Sequence, residues 1–170
     1  MFTCGVIDND IKKAFNAEIE ISNPAVDSLK NYDAPLQISY DFNFKQDKED
    51  IIYLNPMFGE GWKENPFKSD ERTYPIEMPY AIDETYLLRL DIPEGYILDE
   101  LPKQLKVNLN EKEDGFFEYR IAESGGVISL RSRIQLKRAL FTPDEYGTLR
   151  EFFNIIVQKQ NEQIVFKKKK

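Results

Sequence analysis

The stretch from Thr142 to Gln160 constrains the fold more than any other part of this chain. Thr142 can accept the backbone N–H three residues on, and Glu145 can reach back to the Thr142 N–H. Together these make the reciprocal arrangement of a capping box. Pro143 stands at the first helical position, where a missing N–H costs nothing. Asp144 and Glu145 lie in the first turn, where the helix dipole favours anions. Leu149, Phe152, Phe153, Ile156 and Val157 fall on one face, and Arg150, Glu151, Asn154, Gln158 and Asn161 on the other, as in an amphipathic helix. Ile155 lies off the stripe and is expected to be partly exposed or to serve a second contact. A helix over 143–160 with so broad an aromatic face must be covered, and a β-sheet is the natural cover.

The rest of the chain supplies strands. Ala17, Ile19 and Ile21 alternate with polar residues until Asn23-Pro24, which is expected to break the strand. Leu36, Ile38, Tyr40, Phe42 and Phe44 alternate over a longer run with one dry and one wet face. The polar stretch 45–50 then leads to Ile51-Ile-Tyr-Leu54, and the two runs are expected to pair closely. Tyr86, Leu88, Leu90 and Ile92 make a further strand, ended by the turn Pro93-Glu-Gly95. Residues 96–102 are expected to bridge with apolar plugs to a strand carrying Leu105, Val107 and Leu109. Phe117, Tyr119 and Ile121 approach Ser124-Gly-Gly126, which has the composition of a hairpin turn. The return strand turns Ile128, Leu130, Ile134 and Leu136 inward and Arg131, Arg133, Gln135 and Lys137 outward, and Ser132 is expected to mark a bulge. That basic stripe has two readings: an anion site, or a solvated sheet face that pairs with acidic neighbours such as Glu118. The second is preferred. Residues 163–166 predict a last short strand, and Lys167 to Lys170 a frayed, solvated tail.

Residues 55–80 follow no period. They hold Pro56, Phe58, Gly59, Gly61, Trp62, Pro66, Phe67, Tyr74, Pro75, Pro79 and Tyr80. So many aromatics argue against a bare linker, because leaving them exposed is costly. They predict an arm packed on the body or on a neighbouring domain, or else a platform for a sugar or peptide. Phe58, Trp62, Phe67 and Tyr74 are the candidate interaction residues.

Composition removes several function classes. The chain has no histidine, so Ser–His and Cys–His catalysis and the commonest zinc ligand are absent. The single cysteine, Cys4, cannot form an internal disulfide. Asp8 and Asp10 open a stretch expected to form a short helix, and the surrounding loop lacks the other oxygen ligands of a calcium site. No catalytic residue, metal site or cofactor is expected. A formal net charge of −7 disfavours nucleic acid as a partner. No apolar run reaches the roughly 20 residues of a membrane helix. There is no signal peptide at the start, so the sequence suits either a cytoplasmic protein or a piece of a longer exported chain.

Several short motifs keep a distinctive order: Leu-Asn-Pro at 54–56, Glu-Asn-Pro-Phe at 64–67, Glu-Arg-Thr-Tyr-Pro at 71–75, Ile-Pro-Glu-Gly-Tyr at 92–96 and Glu-Leu-Pro at 100–102. They are followed by Pro-Asp-Glu-Tyr and Leu-Arg-Glu-Phe-Phe in the helix and Asn-Glu-Gln-Ile-Val at 161–165. From about residue 50 to 170 this resembles the C-terminal domain of unknown function that follows a transglutaminase-like domain in large bacterial proteins. The resemblance implies export, often to the periplasm, with any Cys-His-Asp chemistry residing in the preceding domain. None of those catalytic motifs occurs here, and no nucleophile role is carried onto Cys4.

The expected fold is therefore mainly β: an antiparallel β-sandwich of Ig-like or Greek-key type, of about eight strands, with the C-terminal helix packed on it. Residues 1–50 are read as a connecting segment with one or two strands, either separate from the sandwich or part of it, and 51–170 as the C-terminal β-rich accessory domain. The expected role is that of a non-catalytic accessory domain whose partner is the upstream transglutaminase-like domain of the same chain. The alternative is a module that binds cell-envelope carbohydrate or peptide through the 55–80 segment.

Overall fold

Alternation of apolar and polar residues produces strands throughout, and the longest of them share one sheet. The computed structural model describes residues 19–28, 30, 31, 33, 37–44 and 49–169. The expectations for Cys4, Asp8, Asp10 and a helix near residue 10 lie outside the described residues. The chain divides into two units, residues 1–48 and 49–170.

In the first unit, β1 (Ile19–Asp27) pairs antiparallel with β2 (Gln37–Phe44). Asn23-Pro24 does not end β1. The strand passes through a register shift between Ser22 and Ala25, with Asn23 at φ 52°. Asparagine tolerates this left-handed conformation better than most residues, and its side-chain amide donates to Asp41 at 2.8 Å. The expected pairing of 36–44 with 51–54 is also corrected: β2 takes β1 as its partner, and the later run pairs elsewhere.

The second unit contains the other strands and the helix. They are β3 (Ile51–Leu54), β4 (Ile76–Glu77), β5 (Asp83–Asp91), β6 (Tyr96–Glu100), β7 (Leu105–Asn108), β8 (Gly115–Ser124), β9 (Val127–Leu136), β10 (Leu140–Phe141), α1 (Tyr146–Gln160) and β11 (Ile164–Lys168). A four-stranded antiparallel sheet runs β5-β9-β8-β7, a three-stranded one β3-β11-β6, and β10 pairs with β4. The architecture is the mainly β, sandwich-like one expected from the sequence, with one C-terminal α-helix. It holds more strands than the eight expected, because the bridge 96–102 contains β6 and the two-residue ladder β4–β10 has too short a run to show a period.

The β8–β9 hairpin closes at Gly125 and Gly126, with φ of 62° and 83°. Positive φ at both central residues matches the right-handed twist of the strands they join. Pairing then runs in register from Ser124–Val127 to Gly115–Leu136. At the far end only glycine fits, since a Cβ on Gly115 would sit 2.5 Å from the Gln135 carbonyl oxygen. No bulge interrupts β9 at Ser132. This residue stays in register with both neighbours and is buried. Its hydroxyl is tolerated on the apolar face because the Gln160 side-chain amide donates to it at 3.1 Å.

The inward faces of the two larger sheets and α1 share one core. Phe117, Ile128 and Ile134 come from the four-stranded sheet, Ile52, Ile164 and Phe166 from the three-stranded one, and Leu149, Phe153 and Ile156 from the helix. The helix begins as expected. Pro143–Glu145 form a single 3₁₀ turn with the capping box at Thr142, and the α-helix continues from Tyr146. Glu145 also anchors Arg138, which pairs with Asp114 at 3.0 Å and stacks on the Phe141 ring at 4.3 Å. The lysine tail is more ordered than expected: Lys167 and Lys168 belong to β11, and the Lys168 and Lys169 N–H groups donate to the Asp50 and Gly95 carbonyls.

Candidate functional site

The aperiodic arm 55–80 is fixed by its asparagines. Asn55 and Asn65 each precede a proline, and each side-chain oxygen accepts the N–H two residues on, from Met57 and Phe67, both at 2.8 Å. These are Asx turns, which proline favours by presetting φ at the next position. The amide nitrogens then reach the helix. Asn55 donates to the Gln160 carbonyl at 3.1 Å, and Asn65 donates to the Arg150 carbonyl at 2.8 Å and to Asn154 at 2.7 Å. Between them the Trp62 N–H donates to the Gln160 side-chain oxygen at 2.8 Å. Further on, the Tyr146 hydroxyl donates to the Ser69 carbonyl at 2.6 Å, and Arg150 pairs with Asp70 at 2.9 Å. The arm thus follows α1 from its C-terminal end back to its first turn.

Of the four candidate interaction residues, the arrangement brings two together. Trp62 and Phe67 both meet the Phe153 ring edge-on, at 5.2 and 5.1 Å, and Phe67 also meets Tyr146 at 6.0 Å. Both are half-buried and packed against the core. Phe58 is half-buried at a position with φ 47°. Tyr74 stands apart from them and is 77% exposed. Tyr80 and Leu140 are exposed as well, at 69% and 56%. Leu140 lies in β10 of the short ladder β4–β10, and Tyr74 and Tyr80 stand two residues before and three after β4 in the chain.

A cavity of about 340 Å³ opens beside the arm. Trp62, Tyr86 and Ile134 give it apolar walls, Gln160 and Ser132 give it polar groups, and Glu60 and Glu84 add carboxylates. The buried polar residue Gln160 was missed in the sequence because it lies at the helix end, where polar residues are ordinary. The Asn-Pro dipeptides at 55–56 and 65–66 are the sequence signal for the two Asx turns.

The outward basic stripe is largely paired. Arg133 holds Asp83 through two bonds of 3.0 Å, and these hydrogen bonds keep the exposed Asp83 carboxyl below its usual range. Arg120 and Arg131 share Glu118, at 2.7 and 3.3 Å. This is the solvated, acid-paired face preferred from the sequence. Among the described residues no group of three or more potential metal-ligating side chains converges, and no helix is long and apolar enough to cross a membrane.

No curated protein matches the chain. It is similar to a crystal structure described as a "putative protease" from Parabacteroides distasonis ATCC 8503, with 23% identity and a TM-score of 0.49. That similarity covers 58% of this chain and 19% of the other, so the match spans about a fifth of the other protein's length. Residues 50–166 match the model of a domain of unknown function for which a structure has been solved, and the chain therefore belongs to the DUF3858 family.

Proposed function

We propose that this chain is a non-catalytic accessory domain of a larger exported protein, in which it supports or orients a transglutaminase-like domain encoded upstream. The observation that carries this reading is the ladder β4–β10 with Tyr74, Tyr80 and Leu140 exposed around it. Exposed aromatics on either side of a paired strand suit a protein contact, where aromatic side chains supply much of the binding energy. The motif order between residues 54 and 165 supports the family context, and with it a periplasmic location. The lack of any histidine supports a role without acid–base chemistry of its own.

The test is a binding measurement between residues 49–170 and the separately purified domain encoded immediately upstream. The reading expects a one-to-one complex that the double substitution Tyr74→Ala and Tyr80→Ala weakens by about tenfold or more. Absence of any complex, or one indifferent to both substitutions, overturns it.

A second reading, a binding module for envelope carbohydrate or peptide, is favoured by the cavity beside Trp62. An aromatic wall with a few polar groups is the usual make-up of a small-ligand site. Saturable binding on a glycan or peptide array, abolished by Trp62→Ala in a variant that remains folded, decides for it.

A further inference from the structure

The outer face of the four-stranded sheet carries a shallow bowl of about 590 Å³. Its floor is the in-register pair Ala122–Ser129, whose small side chains leave space between longer neighbours. Leu87, Arg89, Gln104, Arg120 and Arg131 form the wall. Arg120 and Arg131 face each other directly across β8 and β9, an arrangement that like charges disfavour. Glu118 makes it tolerable: 5% exposed, it binds both guanidinium groups and fixes their positions. Their side chains remain 62% and 41% exposed, so donors are left over on a planar fork suited to carboxylates. The Arg89 side chain makes no hydrogen bond or ion pair among the described residues. Three guanidinium groups against one carboxylate leave a net charge of +2 (3 − 1) around the bowl, on a chain whose formal charge is −7. Leu87, opposite Arg131 in the ladder and 70% exposed, adds an apolar rim.

We propose that this bowl binds a short acidic peptide segment, with a carboxylate side chain between Arg89, Arg120 and Arg131 and an apolar neighbour on Leu87. A long polyanion is disfavoured because the surrounding acidic chain repels it. The apolar rim has no use for a bare inorganic anion. This proposal stands independently of the accessory reading, since it concerns a different face and a ligand that need not come from the upstream domain.

The experiment titrates the full chain with an acetylated, amidated Leu-Glu-Leu-Glu peptide and follows the backbone amide signals of residues 87–89, 120–122 and 129–131. The matched Leu-Gln-Leu-Gln peptide and inorganic phosphate form the other arms. The expected result is saturable binding of the acidic peptide, about tenfold tighter than the amide peptide and weaker at high salt. Arg89→Glu reverses one charge without removing a side-chain hydrogen bond or ion pair within the protein, and Ser129→Leu fills the floor without changing charge. Each is expected to weaken binding by about tenfold. Equal binding of the two peptides, phosphate binding as tight as the acidic peptide, no saturable binding, or indifference to both substitutions overturns the proposal.

Discussion

Tyr119 is fully buried on β8, and among the described residues its hydroxyl has no hydrogen-bond partner. Burial, with smaller contributions from Glu162 and Tyr86, pushes its pKa well above the usual range. The ring is used: it packs near Phe117 and lies 5.9 Å from the Lys159 ammonium. The hydroxyl is desolvated without return, so Tyr119→Phe is expected to raise stability by about 1 kcal/mol in chemical denaturation. A loss of stability would show that the hydroxyl is satisfied after all. Glu145 makes the opposite case. Hydrogen bonds from Arg138 first, then from the Thr142 N–H and hydroxyl, hold its pKa down to about 2 against an ordinary 4.5. A carboxylate depressed only in the folded state adds stability that is fully present above about pH 4.5 and is lost as pH falls toward about 2. Glu145→Gln is therefore expected to destabilise the protein at neutral pH, with the deficit shrinking across that acid window. Thermal denaturation of both proteins from pH 7 to pH 2 measures this, and parallel curves would contradict it.

At the scale of elements, the helix was the most legible part of the sequence. Its cap, its acidic first turn and its apolar stripe are all local signals, and each sits where the spacing placed it. The β8–β9 hairpin was legible for the same reason, because the turn residues and the alternation lie next to one another. Pairings between distant segments were not legible. β3 joins β11 across more than a hundred residues, and nothing in Ile51-Ile-Tyr-Leu54 names that partner over the nearby β2. Ser132 looked like a defect in β9 because its partner, Gln160, is supplied by another element. The arm is a similar case. It has no period because its backbone groups are satisfied by asparagine side chains and by the helix rather than by a ladder. Asn65 makes three of these bonds, so Asn65→Ala is expected to cost about 1–3 kcal/mol, well above a typical surface substitution. Urea denaturation measures the loss, and a change within about 0.5 kcal/mol would mean that the arm is not held at this point.

For the whole molecule, the residues that first looked most like a binding surface serve largely to close the fold. Trp62 and Phe67 cover Phe153, while Tyr74, Tyr80 and Leu140 near the β4–β10 ladder are exposed and the arginine-lined bowl opens on the outer face of the four-stranded sheet. The candidate site was legible in the sequence only as a composition, a run of aromatics, because which rings turn inward depends on the helix they meet. The second unit has its own core, drawn from both larger sheets and α1, so residues 49–170 are expected to keep the arm in place by themselves. The most direct test is amide hydrogen exchange at Trp62 in that fragment, compared with the β8 and β9 amides. With its N–H held by the buried Gln160 side chain, Trp62 is expected to exchange with protection approaching that of the central strands. Exchange at the rate of an open loop, while β8 and β9 stay protected, would contradict the account and return the arm to the role of a free platform.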